Sequence, residues 1–395
     1  MPARDGGGRN AAFRLIILMG VVSLMGDVTY EGARSITGPY LAFLGASAGV
    51  VGLVSGLGEF MGYALRLASG YLADRTRAYW PLTFLGYGLI LAIPLLAFAG
   101  SWHVAAVLVV LERMGKAIRT PARDTILSHA TKKVGRGLGF GLHEALDQVG
   151  AVAGPLIFTA VFVFEGDYRH GFGILWVPGL ATLLLLAAAR KKVPSPEKLE
   201  DTGHGDADPP DGRLPRVFWP YLIFIFLSVA GFANFQLISY HFKVGGIVPD
   251  AQIPLFYVAA MAVDMVVAPV IGKVYDRVGL RSLAAVPVLS LAMPFFAFSG
   301  SYGLAIAGVV LWGAVMGVHE TVMRAAIADL TPLARRGTAY GIFNTVYGGA
   351  WLAGGAAMGF LYDVSVGWLV AFAAAAEALS VAAFIYLAAR SGKAA

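Results

Sequence analysis

Apolar runs long enough to cross a bilayer recur along the whole chain, near 13–35, 46–68, 80–99, 102–122, 137–163, 171–189, 217–243, 253–271, 283–300, 302–328, 337–361 and 366–389. About 20 such residues suffice for one crossing. The pattern predicts an all-α integral membrane protein with twelve transmembrane helices. Composition agrees: 58% of the 395 residues are hydrophobic and 14% charged, against about 45–50% and 25% in soluble domains. An ordinary soluble globular protein is thereby excluded. Fifty glycines, without a collagen period, fit close helix packing in lipid. The absence of cysteine excludes disulfides, iron–sulfur clusters and thiolate metal sites. Leu15–Gly26 imitates a secretory leader, but it lacks a small-residue cleavage site and runs on into Asp27 and Glu31, so it is read as part of the first membrane helix.

The runs fall into two sets of six, predicting bundles at 1–189 and 217–395 joined by a solvated linker, 190–216, rich in Glu, Asp, Pro and Gly. The sets echo each other. Gly70-x-x-x-Asp74-Arg75 recurs as Gly272-x-x-x-Asp276-Arg277, displaced by 202. Arg136-Gly137, Gly141 and Gly154 recur as Arg336-Gly337, Gly341 and Gly354, displaced by 200. Two echoes at nearly one displacement argue for duplication and pseudo-symmetric bundles. With the termini, the linker and the loops after even-numbered helices on one side, that side collects 22 of the 30 lysines and arginines, and the other holds only Arg169 and Lys243. By the positive-inside rule both termini are cytoplasmic, in a multi-pass protein of the cell (inner) membrane. The same distribution argues against a nucleic-acid partner for the net charge of +6.

Histidines aside, and with Arg14 counted to the cytoplasmic terminus, fourteen charged residues lie within the predicted spans of helices 1, 2, 4, 5, 8 and 10. Facing lipid at about 2.5 kcal/mol each they would cost about 35 kcal/mol, far more than a fold tolerates. They must face an interior. Asp27, Glu31 and Arg34 form a stripe on helix 1, and Glu112, Lys116, Arg119 and Arg123 form one on helix 4. Glu59 and Arg66, Glu144 and Asp147, and Glu320 and Arg324 are likewise helically spaced. Eight interior acids face six bases, so some carboxylate binds a proton or meets a cation. Asp27, Glu31, Glu144 and Asp147 are the candidates for proton coupling. Arg34, Glu59, Lys116, Arg119, Asp264, Glu320, Arg324 and His319 are candidates for a substrate cavity, with Asn234, Gln236, Tyr240, Asn344, Tyr347 and Trp351 as non-ionic lining. Structural ion pairing and interhelical hydrogen bonding are the competing roles for these residues, above all for Arg66, Arg113 and Glu112. Glu377, the only such residue in helices 3, 6, 9 and 12, is expected near an interface or in a local contact.

No phosphate loop follows Gly115-Lys116, Gly272-Lys273 or Gly392-Lys393, and neither a metal-site spacing of histidines nor a nucleophile elbow is present. No cofactor, metal or catalytic residue is implied.

Over essentially its whole length the sequence resembles the major facilitator superfamily. The loops Gly70-Tyr71-Leu72-Ala73-Asp74-Arg75 and Gly272-Lys273-Val274-Tyr275-Asp276-Arg277 are similar to its cytoplasmic signature. The resemblance implies that Asp74, Arg75, Asp276 and Arg277 act as a conformational latch. Gly150-Ala151-Val152-Ala153-Gly154-Pro155 resembles the glycine–proline motif of its proton-coupled antiporters, and Arg113–Asp124 resembles a signature of a poorly characterised prokaryotic subgroup. The expectation is a monomeric secondary transporter that moves a small organic solute by alternating access, through proton-coupled antiport and efflux. Proton-coupled import by symport is the alternative within the class. A transporter-like membrane sensor or intramembrane enzyme is the alternative from outside it.

Overall fold

The computed structural model describes residues 6–164, 166–196, 214–332 and 335–391, so most of the expected linker lies outside the described residues. The chain runs through α1 (Gly6–Phe43), α2 (Ala48–Thr76), α3 (Tyr79–Gly88), α4 (Trp102–Val134), α5 (Arg136–Phe164), α6 (Tyr168–Ile174) and α7 (Trp176–Lys192). After the linker come α8 (Phe218–Ala230), α9 (Phe235–Val244), α10 (Ile253–Val278), α11 (Ala285–Ala297), α12 (Tyr302–Leu330), α13 (Arg336–Val364) and α14 (Val366–Ser391). No strand occurs among the described residues. In hydrocarbon each backbone polar group must be bonded within its own segment, and helices do this.

Nine segments among the described residues are long and apolar enough to cross a membrane. One of them, Asp250–Ala297, has 48 residues, more than twice the length of one crossing, and is interrupted at Gly279 (φ +59°). α4 is as long as its neighbours, but Glu112, Arg113, Lys116, Arg119 and Arg123 keep its charge too high for that group.

Three expected spans are less regular than their hydropathy suggests. The third continues beyond α3 as 3-10 turns, Leu89–Ala92 and Pro94–Phe98. The sixth is divided at Leu175 between α6 and α7. The seventh, expected as one helix over 217–243, breaks at 231–234. There Asn234 caps α9, its Oδ1 accepting from Leu237 N at 2.8 Å, and Trp312 Nε1 donates to the Ala233 carbonyl at 2.9 Å. An apolar stretch carries no local signal of such a break beyond the Gly231 stop and the Asn234 cap.

Backbone contacts divide the chain into two compact units, residues 1–34 with 65–206 and residues 35–64 with 207–395. In the first unit, Gly150 and Gly154 of α5 lie against α1. A methyl group on Gly150 would sit 2.9 Å from Asp27 Cβ, and one on Gly154 would sit 2.7 Å from Gly32 N. In the second unit, a methyl group on Gly354 of α13 would sit 2.6 Å from Ala230 Cα, at the end of α8. The duplication read from sequence reappears here: α5 and α13 each have 29 residues and their bounds are displaced by 200. Within the second unit Asp363 caps α2, accepting from Ala48 N at 2.9 Å and Gly49 N at 2.8 Å.

These approaches require glycine, because a side chain would force the helices apart. Gly154→Leu is expected to destabilise the protein by about 1–3 kcal/mol. Gly141→Ala, on the same helix with open space around it, is expected to leave stability unchanged or slightly raised. Thermal unfolding of both variants in detergent checks the contrast.

Candidate functional site

The charged stripe of α4 meets α1 inside the first unit, and Tyr30 stands at the meeting point. Arg113 Nη1 donates to the Tyr30 hydroxyl. Over the Tyr30 ring lie Lys116 Nζ at 4.0 Å, the Arg113 guanidinium at 4.6 Å and that of Arg34 at 6.0 Å from its centroid. The ring face thus gathers cations that would otherwise repel one another. Counter-charges surround them. Glu31 pairs with Arg34 at 3.8 Å, and Glu112, only 1% exposed, pairs with Arg119 at 3.5 Å and Arg113 at 3.9 Å. Arg119 also lies 4.9 Å from the centroid of the Tyr87 ring. Asp27, half-buried, interacts electrostatically with Lys116, Glu31, Arg119 and Arg123.

A chain of polar contacts, hydrogen-bonded from Tyr87 to His143 and closed by a 3.4 Å contact, leads from this network to Asp147. Ser23 Oγ lies 3.0 Å from the Tyr87 hydroxyl, 2.9 Å from His143 Nε2 and 3.2 Å from Arg123 Nη1. His143 Nδ1 is 3.4 Å from Asp147 Oδ2, and Arg123 is 4.0 Å from that oxygen. With Asp147 ionised, one proton assignment satisfies the chain. Nδ1–H donates to Asp147, Nε2 accepts from the Ser23 hydroxyl, and Ser23 accepts from Tyr87 and from Arg123, which can only donate. With Asp147 protonated, its O–H can donate to Nδ1, Nε2–H then donates to Ser23, and the direction reverses. Such a chain can pass a proton without moving a heavy atom far. Asp27 and Asp147 feel each other's charge directly.

The second unit holds an aromatic cluster. His319 is 1% exposed, and both of its ring nitrogens lack a hydrogen-bond partner among the described residues. Its ring centroid lies 5.1 Å from that of Phe232 and 6.3 Å from that of Tyr347. Trp351 stands edge-on to Phe232 at 5.7 Å and donates to the Tyr347 hydroxyl. Tyr63 is edge-on to Tyr347 at 4.9 Å and accepts a hydrogen bond from Arg324, an exposed side chain beside exposed Glu320. The arrangement offers flat apolar faces, one cation, one anion and an imidazole in a small space, suited to holding a small organic solute.

The sequence candidates therefore divide. Asp27, Glu31, Arg34, Lys116, Arg119 and Asp147 are brought together in the first unit. His319, Glu320, Arg324, Tyr347 and Trp351 are brought together in the second. Glu144 is exposed, accepting from Gln148 at 3.3 Å, and its charge acts on Asp147. Glu59, Asp264, Gln236 and Tyr240 are buried in the second unit. Asp264 Oδ1 faces Gly317, Tyr240 packs on Tyr362 at 5.8 Å, and Asn344 is half-buried. Asp74, Arg75, Asp276 and Arg277 are exposed and form no ion pair among the described residues; Arg75 donates to Tyr71 at 3.4 Å. Glu377 is fully buried, and no charged group among the described residues acts on it. Among the described residues no group of three or more His, Asp or Glu could hold a metal ion.

Sequence reasoning missed Ser23, Tyr30, Tyr63 and Tyr87. Ser23 and Tyr30 were accessible, since with Asp27 and Arg34 they complete one helical face. Tyr63 continues the face of Glu59 and Arg66. Tyr87 carries no such signal.

The sequence model of the Major Facilitator Superfamily matches residues 16–287 and 248–394. The chain belongs to the major facilitator superfamily. It is 45% identical over 377 residues to an uncharacterized protein of Mycobacterium tuberculosis (strain ATCC 25618 / H37Rv), covering 94% of this chain and 92% of the relative. It is 28% identical over 372 residues to an uncharacterized MFS-type transporter of Methanocaldococcus jannaschii, covering 89% of each. Among solved structures, the nucleoside transporter NupG superposes with a TM-score of 0.75 at 12% identity, covering 94% of this chain and 99% of that one. At that identity the likeness speaks for the fold alone. Superfamily membership makes the chain a multi-pass membrane transporter of the secondary type and not an enzyme.

In the first unit, Glu112→Ala would leave Arg113 and Arg119 buried without their counter-charge. The expected loss is about 3–5 kcal/mol. Glu144→Ala, at an exposed position on α5, is expected to cost little, and unfolding of the two variants in the same detergent tests the difference.

Proposed function

We propose that the protein is a proton-coupled antiporter that exports a small organic solute by alternating access. In this reading the chain crosses the cell (inner) membrane twelve times as a monomer. Six-helix bundles lie at 1–189 and 217–395, and both termini and the linker are cytoplasmic, as the distribution of basic residues favours. The observation that carries the proposal is the chain Tyr87–Ser23–His143–Asp147 beside Asp27. Two carboxylates that feel each other's charge, joined to a reversible hydrogen-bonded relay, can take up and release one proton between them.

Asp27 and Asp147 carry the coupling proton, with Glu31 holding Arg34 in place. Loading a proton onto this pair removes one negative charge from beside Lys116 and Arg123. The close seat of α5 on α1 at Gly150 and Gly154 supports the proton-coupling reading, because it holds α5, which carries Asp147, against the turn of α1 that carries Asp27. The aromatic cluster with Glu320 and Arg324 supplies the solute's contacts. Asp74, Arg75, Asp276 and Arg277 serve the latch.

In proteoliposomes, Asp27→Asn and Asp147→Asn are expected to abolish pH-gradient-driven solute flux while leaving folded yield intact. Wild-type coupling in both would end the assignment. The sign of the gradient that drives accumulation decides between antiport and symport. Asp276→Ala is expected to slow turnover several-fold with little change in solute affinity, read as a drop in maximal rate at constant half-saturation.

A further inference from the structure

The proton-coupling reading leaves Glu377, a fully buried carboxylate, without work. Glu377 lies on α14, is 0% exposed, and neither carboxylate oxygen has a hydrogen-bond partner among the described residues. It stands against the interruption between α8 and α9: a methyl group on Gly231 would be 2.9 Å from Glu377 Oε1 and 3.2 Å from its Cγ.

Two further unpartnered oxygens belong to the same place. α8 and α14 pack on each other, and their register is fixed by two contacts. Gly231 meets Glu377, and, seven residues back along α8 and seven on along α14, Phe224 meets Phe384 with ring centroids 5.7 Å apart. The helices are therefore antiparallel, and Ser228 and Ser380, each three residues from the first contact, lie at one level between the two. Both serines are 0% exposed, and neither hydroxyl has a partner among the described residues. Several helical hydroxyls elsewhere in the chain bond back to a carbonyl one turn earlier, as Thr182 does to Pro178 at 2.8 Å and Thr345 to Gly341 at 3.0 Å, while Ser55, Thr159 and Ser290 also lack a partner among the described residues. Ser228 and Ser380 forgo that bond.

In such surroundings a carboxylate that stays ionised needs a bound cation, and otherwise takes a proton, since an isolated buried charge is among the costliest features a fold can carry. The need is sharpened by α8, whose C-terminal end at Ala230 presents the negative pole of the half-helix beside Glu377. Two carboxylate oxygens and two hydroxyls are hard ligands, the type chosen by small, hard cations. One formal negative charge is neutralised by one monovalent ion, whereas a divalent ion would leave an uncompensated positive charge in an apolar setting. Interrupted membrane helices supply ion sites of this kind through half-helix C-terminal ends.

We propose that Glu377, Ser380 and Ser228, closed by the C-terminal end of α8, form a binding site for one Na+ ion. The site uses none of the residues assigned to proton coupling, so the two readings stand or fall separately.

The test is thermal unfolding of the purified full-length protein in detergent at pH 8, with NaCl replaced by choline chloride at constant ionic strength. Na+ is expected to stabilise the wild type in a saturable way, and Glu377→Gln is expected to abolish that effect. Ser380→Ala and Ser228→Ala should each raise the Na+ concentration for half-maximal stabilisation about tenfold, near the worth of one ligand contact. Asp27→Asn should keep the wild-type response. Equal stability of the wild type in Na+ and choline overturns the site, as does an undiminished Na+ response in Glu377→Gln; Glu377 then holds a proton. Should Glu377→Gln fail to fold, radiolabelled Na+ binding to the wild type decides, and its failure to be competed by unlabelled Na+ overturns the proposal.

Discussion

A charge taken out of water into an apolar helix bundle must find its counter-charge within reach, and this requirement orders the interior of the first unit. Five basic side chains from α1 and α4 cannot share so small a volume unless acids and aromatic faces separate them. Glu112 between Arg113 and Arg119, Glu31 on Arg34, and the Tyr30 ring beneath Lys116 and Arg113 provide that separation. Asp27 and Asp147 stand among the remaining cations, Lys116 and Arg123, close enough to feel each other's charge, and the proposed proton coupling rests on that pair.

Glycine makes this matching geometrically attainable. The Arg123–Asp147 contact of 4.0 Å spans α4 and α5, and on the other side of α5 Gly150 and Gly154 remove the side chains that would hold its backbone off α1. The same device recurs at Gly354 in the second unit, where it seats α13 on the end of α8. The two halves of the sequence thus share a packing rule while differing in what they pack. One unit gathers charges, the other aromatic rings and His319.

Glu377 shows the limit of reading function from hydropathy. One acid in an otherwise apolar run reads as a residue near an interface, because a single helix gives no indication of what opposes it. Only the pairing of α14 with α8 places it at a helix interruption and aligns it with two serines. The interruption is itself weakly marked: Gly231 and Asn234 are common in membrane helices, and only their combination with Trp312, which takes the Ala233 carbonyl, makes the break stable.

The sequence by itself determined the helical membrane class, the duplicated register and the inward stripes on α1 and α4. These depend on run length, on repeats and on the 3.6-residue period, all of which are local. It also identified the superfamily, through motifs that are short and contiguous. Tertiary structure alone decided which acid meets which base, that Ser23 and Tyr87 enter the network, and that Ser228 and Ser380 lie level with Glu377. Those outcomes depend on the depth at which one helix stands against another, and that is fixed by glycine contacts between residues more than a hundred positions apart, which no local pattern records.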